Sequence, residues 1–180
     1  YTLALHDALP ILATDAAERN VLGDDVAIDI AATDETNTRV KIKDIVAQLK
    51  KHDNFGMVGL VGVQSNQFPR ALDIARALRA AGIAVSIGGF HVSGCIAMLD
   101  EMQADLKTAL GMGCSLFAGE AEEGRLDTVL RDAAAGGLKP IYDYMAELPG
   151  LEATPTPFLP PHNLRRTANH YASFDAGRGC

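Results

Sequence analysis

Residues 57–93, MVGLVGVQSNQFPRALDIARALRAAGIAVSIGGFHVS, read as a strand, a helix and a second strand, and the rest of the chain can be placed around them. Residues 57–63 are apolar apart from glycine and have no polar face of period two. They therefore predict a short strand covered on both sides, as in a parallel sheet. Pro69 suits the first turn of a helix, where a missing N–H is tolerated, and Ala71, Ile74, Ala75 and Leu78 recur at helical spacing. Gly82 stands where a left-handed residue ends such a helix, and residues 83–87 form the second buried strand, which runs into Gly88-Gly89-Phe90-His91. A strand, crossover helix and strand of this length close as a right-handed parallel unit. That geometry brings residues 64–68 and 88–93 to one sheet edge, the edge at which open α/β sheets bind ligands.

Working outward, residues 12–21 predict a short helix ending near Gly23, and residues 26–32 (VAIDIAA) predict a strand near the sheet edge. Ile42, Ile45, Val46 and Leu49 give an apolar helical stripe with lysines solvated around it. Cys95, Met98, Leu99 and Met102 give another, which makes Cys95 a small core residue rather than a nucleophile. Residues 114–118 (CSLFA) form a further strand delivering Gly119-Glu120 to the same edge, followed by a helix through Leu126, Val129, Leu130 and Ala133 that Gly136-Gly137 stops. Strand starts near 26, 57, 83 and 114, separated by helices, predict an open, doubly wound α/β sheet of Rossmann-like or flavodoxin-like type. This domain spans residues 12–145. Residues 146–169, with Pro149, Pro155, Pro157, Pro160 and Pro161, read as an extended linker, and residues 170–180 open with the strand of a new structure. Residues 1–11 (YTLALHDALPI) resemble, apart from Ala4, a sequencing adapter translated in one frame and are set aside from fold reasoning.

Composition narrows the function classes. A hydrophobic fraction of 48% and a charged fraction of 22% fit one globular domain. No apolar run approaches the roughly 20 residues of a membrane helix. The net charge of -7 argues against a nucleic-acid surface. Cys95, Cys114 and Cys180 are odd in number and widely spaced, which supports neither a disulfide framework nor a zinc knuckle and fits a reducing cytoplasm.

The order of these pieces, VGLVGVQSNQFPRALDIARALRAAGIAVSIGGFHVS, then LFAGEAEEGRLDTVL, then a proline-rich linker and YASFDAGRGC, resembles the cobalamin-binding domain of radical S-adenosylmethionine enzymes running into the catalytic barrel. The resemblance covers most of residues 21–180. It implies a B12-binding module of a methyltransferase-type parent, with the parent's own radical domain as partner. It also implies that Cys180 is the first ligand of a C-x-x-x-C-x-x-C motif holding a 4Fe-4S cluster. Two features depart from the pattern: no D-x-H-x-x-G occurs, and Val61-Gly62-Val63 replaces the family's Ser-x-Leu. The resemblance implies that the former belongs on the loop after a first strand expected upstream of this sequence, or else that the chain is of the subgroup that binds cobalamin without a protein His ligand.

On this reading, Gly62, Gly88, Gly89 and Gly119 clear side chains from the path of a bulky cofactor. Ser65, Asn66, Gln67 and the amides near Ser93 hydrogen-bond its tail or corrin amides, and Phe90, His91 and Glu120 complete the cofactor-binding set. Each has a plainer reading. Gly88-Gly89 also ends strands in many α/β folds, Ser65-Asn66 also caps helices, His91 also serves as a surface or local hydrogen-bonding group, and Glu120, Glu122 and Glu123 also serve as helix-start acids. The alternative to cofactor binding is a degenerate α/β module that positions a radical domain without cobalamin; a cleft filled by Phe68 or Phe90 is its expected sign. A phosphoacceptor receiver and a dinucleotide site fit poorly, because no Asp ends a central strand and no G-x-G-x-x-G follows one.

Overall fold

The computed structural model describes residues 8–33, 35, 39–150, 152, 154 and 155. Strands β1 (Met57–Leu60), β2 (Ala84–Gly88), β3 (Ser115–Ala118) and β4 (Ile141–Asp143) form one sheet in the order β1-β2-β3-β4, and every neighbouring pair is parallel. The α/β class, the open parallel sheet and the common edge for the strand exits are therefore as the sequence predicts.

The helices are α1 (Ala8–Glu18), α2 (Ile42–Lys50), α3 (Phe68–Ala80), α4 (Phe90–Met98), α5 (Ala104–Gly111) and α6 (Arg125–Ala134). In α3, Pro69 occupies the first turn, and Ala71, Ile74, Ala75 and Leu78 are all buried. They pack with Val85 and Ile87 of β2, Leu116 of β3, Val92 of α4, and Leu106 and Ala109 of α5 in one core. Each fully buried leucine or isoleucine contributes roughly 1.5–3 kcal/mol there. Gly82 takes φ +79, the left-handed value that stops α3 and starts the approach to β2. On the other face of the pleat, the Ser115 hydroxyl donates to the Lys139 carbonyl at 2.6 Å and the Tyr142 hydroxyl to Asp132 Oδ2 of α6 at 2.7 Å. Helices thus serve both faces of the sheet.

Four expectations are corrected. Residues 26–32 form no strand and join no ladder: only Val26 and Ile28 are half-buried, and a lone segment has no partner for its backbone. The fourth strand is β4, a three-residue strand that directly follows Pro140. β1 is an edge strand with Gly59 exposed, not one covered on both sides. It ends at Leu60 because Gly62 turns left-handed (φ +65) and Val63 N–H donates to the Gly88 carbonyl at 3.1 Å. The helix expected around residues 95–102 begins at Phe90 and ends at Met98, leaving Met98 81% exposed, and α5 follows as a separate helix. In addition, α1 starts at Ala8, so its first residues fall within the segment set aside as adapter-like. The linker from residue 156 onward, the strand at 170–180 and Cys180 lie outside the described residues.

The polypeptide between α1 and α2 is held by side chains. Arg19 binds both oxygens of Asp127 on α6 at 2.8 and 2.9 Å, and Arg70 of α3 binds both oxygens of Glu35 at 2.7 and 3.1 Å. Asp127 is 5% exposed, and the Arg19 guanidinium holds its carboxyl below the usual 3.8. A carboxyl depressed by folding stabilises the fold above its unfolded value, and that contribution is lost as pH falls through the folded value. Stability is therefore expected to decline on acidification below about pH 4, and Asp127→Asn to flatten that acid limb while costing about 1–3 kcal/mol at neutral pH. Urea titrations of both proteins across pH 2.5–7, a range set around the carboxylate values, check this. An unchanged acid limb in the variant would show that the pair does not contribute.

Candidate functional site

Three connections meet at the C-terminal edge of the sheet: residues 61–67 after β1, Gly89 and the first turn of α4 after β2, and residues 119–124 after β3. Backbone hydrogen bonds lock the first two together. Val63 N–H donates to the Gly88 carbonyl, and His91 N–H donates to the Val63 carbonyl, both at 3.1 Å. The third is tied in by Gly119 N–H, which donates to the Ser93 hydroxyl at 3.0 Å.

The glycines are used differently from the expectation. A Cβ on Gly89 would sit 2.2 Å from Val63 N, one on Gly119 2.8 Å from the Tyr144 carbonyl oxygen, and one on Gly88 3.2 Å from the Phe117 carbonyl oxygen. The close approaches they permit are those of the chain's own backbone. Gly62 serves the turn out of β1. The polar residues sit further out: Ser65 and Asn66 are exposed, and Gln67 and Glu120 are half-buried. Gln67 is the N-cap residue of α3, and its side-chain Oε1 accepts from Gln64 N–H at 3.1 Å. Neither Ser65 nor Asn66 caps the helix. Phe90 projects 74% exposed.

His91 is neither a loose surface group nor a loop residue. Its Nδ1 lies 3.1 Å from Ser65 Oγ and its Nε2 2.8 Å from Asp105 Oδ2, and its ring packs on Phe68 with centroids 4.4 Å apart. Phe68 itself is fully buried in the core. Asp105 is the residue the sequence reading missed. It stands in the first turn of α5, and its second oxygen accepts from Leu106 N–H at 2.8 Å. Its sequence signal is Leu106, Ala109 and Leu110 at helical spacing, a run cut short by Gly111 and Gly113.

Beside the Gly119 exit lies an open cleft of about 600 Å³ lined by Leu12, Arg19, Glu123, Asp127, Gly150 and Thr154, among others. A smaller apolar hollow of about 180 Å³ lies among Cys95, Leu99, Met102, Leu106 and Ile141. Among the described residues, no group of three or more His, Cys, Asp or Glu is placed to hold a metal ion. No described helix is long and apolar enough to cross a membrane.

No protein-family model matches the chain, and no curated protein matches it. Among solved structures, the chain is similar to the N-terminal domain of a hypothetical protein of Thermotoga maritima, at 22% identity and a TM-score of 0.44. The match covers 75% of this chain and 88% of that one.

Proposed function

We propose that the chain is the cobalamin-binding module of a B12-dependent radical S-adenosylmethionine enzyme, with the cofactor lying on the C-terminal edge of the sheet. The reading rests on the resemblance of its segments. The observation that supports it best is the parallel sheet, which gathers the exits of β1, β2 and β3 at one edge. There Ser65, Asn66 and Gln67 offer hydrogen-bonding groups, and the exposed Phe90 ring offers a flat apolar surface. These residues suit a broad ligand laid across the loop tips. Gly88, Gly89 and Gly119 do not form a groove for it, because their own backbone neighbours fill that space. When bound, cobalamin would supply methyl-transfer chemistry; the cluster and S-adenosylmethionine belong to the parent's barrel.

The filled glycine sites favour a second reading, a positioning module without cofactor. Phe68 does not decide for it, since that ring is part of the core, and Phe90 points to solvent. The two separate on one measurement. Protein mixed with hydroxocobalamin and desalted is expected to retain the corrin absorbance at about one equivalent, and Phe90→Ala with Asn66→Ala to weaken retention about tenfold or more, the loss of a stacked ring and a hydrogen bond. Colourless protein after desalting would leave the positioning reading in its place.

A further inference from the structure

Ser65 in the loop after β1, His91 in the first turn of α4 and Asp105 in the first turn of α5 are brought by the fold into one hydrogen-bonded line. We propose that they form a nucleophilic relay in which Ser65 attacks small uncharged carboxylic esters, with His91 as general base and Asp105 as its positioning residue.

The direction of the hydrogen bonds follows from chemistry. An ionised carboxylate only accepts, so the 2.8 Å contact to Asp105 Oδ2 requires the proton of neutral His91 on Nε2. Nδ1 is then a bare acceptor, and the Ser65 hydroxyl, 3.1 Å away, donates to it. This is the arrangement that activates a serine: nucleophile to base, and base to an orienting carboxylate. The imidazole is held in place by the Phe68 ring, tilted 46° against it, and by its own backbone N–H on the Val63 carbonyl. The carboxylate is held by Leu106 N–H. Cys95 Sγ stands 3.9 Å from both ring nitrogens, whereas Ser65 and Asp105 occupy them at 3.1 and 2.8 Å, so Ser65 is the group hydrogen-bonded to the base.

Ser65 is exposed and lies two residues ahead of the α3 N-cap. The N-terminus of α3, just after Ser65, carries the positive end of the helix dipole, which suits a developing oxyanion, with Phe68 and Arg70 as first-turn N–H groups because Pro69 has none. Residues 64–68 carry no charged side chain, and Phe90 beside His91 is exposed, so the favoured substrate is neutral with a short apolar acyl group. In the reaction, Ser65 Oγ bonds to the carbonyl carbon while its proton passes to His91 Nδ1. The ester C–O bond then breaks, and that proton goes to the departing alkoxide. Water, deprotonated in the same way, cleaves the acyl-serine to release the acid and restore the hydroxyl. The chemistry requires no cofactor, and because Ser65 lies on the edge proposed to carry cobalamin, it is tested on cofactor-free protein, where its outcome does not depend on that reading.

The test uses the 180-residue protein with p-nitrophenyl acetate and a fluorophosphonate probe. One phosphonyl adduct is expected, mapped by mass spectrometry to Ser65. Ser65→Ala should lose both the adduct and the ester turnover, and Asp105→Asn, which disturbs the tautomer, should slow labelling by about 10²-fold or more. Because His91 also packs on Phe68, the base is tested as His91→Gln in protein whose circular dichroism matches the parent, with the same slowing expected. No adduct, an adduct elsewhere, or labelling at the parental rate in Asp105→Asn would overturn the proposal.

Discussion

Replacing Gly89 by alanine is expected to destabilise the protein by about 4 kcal/mol or more, the range reached only when a substitution meets backbone that cannot move. Gly89 has φ +139, outside the region open to residues with a Cβ, which alone costs about 1–3 kcal/mol. The added atom would also lie 2.2 Å from Val63 N and 2.7 Å from Gly62 C and the Val63 carbonyl oxygen. None of those atoms can swing away as a side chain would. They belong to the segment whose hydrogen bonds to Gly88 and His91 join the first two connections. Relief of the clash therefore breaks that junction, and with it the contact of His91 to Ser65. Gly94, five residues on and within α4, supplies the control: nothing lies within 4 Å of its Cβ position. Alanine there should be neutral or gain about 0.5–1 kcal/mol, the ordinary helix preference. Urea denaturation of both variants measures the contrast. Equal midpoints for Gly89→Ala and the parent would mean that the junction is not rigid.

The same junction shows what the sequence reveals and what it does not. Punctuation is local and therefore readable: Pro69 and Gly82 bracket α3 because one lacks an N–H and the other tolerates positive φ, and both effects act within a few residues. The short apolar runs at β1, β2 and β3 are readable because no charge interrupts them. Residues 26–32 misled because alternation shows only that a segment is able to be a strand, whereas a ladder requires a neighbour. β4 was hidden for the opposite reason. Three residues carry no period, and its place beside β3 depends on partners such as Asp132 and Lys139 finding Tyr142 and Ser115. At the candidate site, Ser65 and His91 were singled out from their position at strand exits, but their pairing spans 26 residues and depends on how β1 and β2 register. Asp105 could not be assigned without knowing that α5 exists and where it begins. The glycines were recognised as sites of close approach, but what approaches them is the chain itself.

Phe68→Ala is expected to be the other severe change, at about 3–5 kcal/mol, as for large aromatic-to-alanine truncations in a core that cannot collapse. The side chain is fully buried among residues of α3, β1, β2 and α4, at the start of the helix and directly below His91. Two losses combine there. The first is the transfer of a large apolar group from water together with the cavity left behind. The second is the support of the imidazole, whose ring lies 4.4 Å from that of Phe68. Phe68→Leu separates them, because leucine restores most of the apolar volume but not the flat face. It should recover more than half of the stability in urea denaturation, yet leave His91 less ordered, which the histidine ring resonances in a ¹H–¹⁵N spectrum report through broadening. If leucine restored both stability and sharp ring resonances, the Phe68 ring would be filling volume only, and the orientation of His91 would rest on Ser65, Asp105 and the Val63 carbonyl alone.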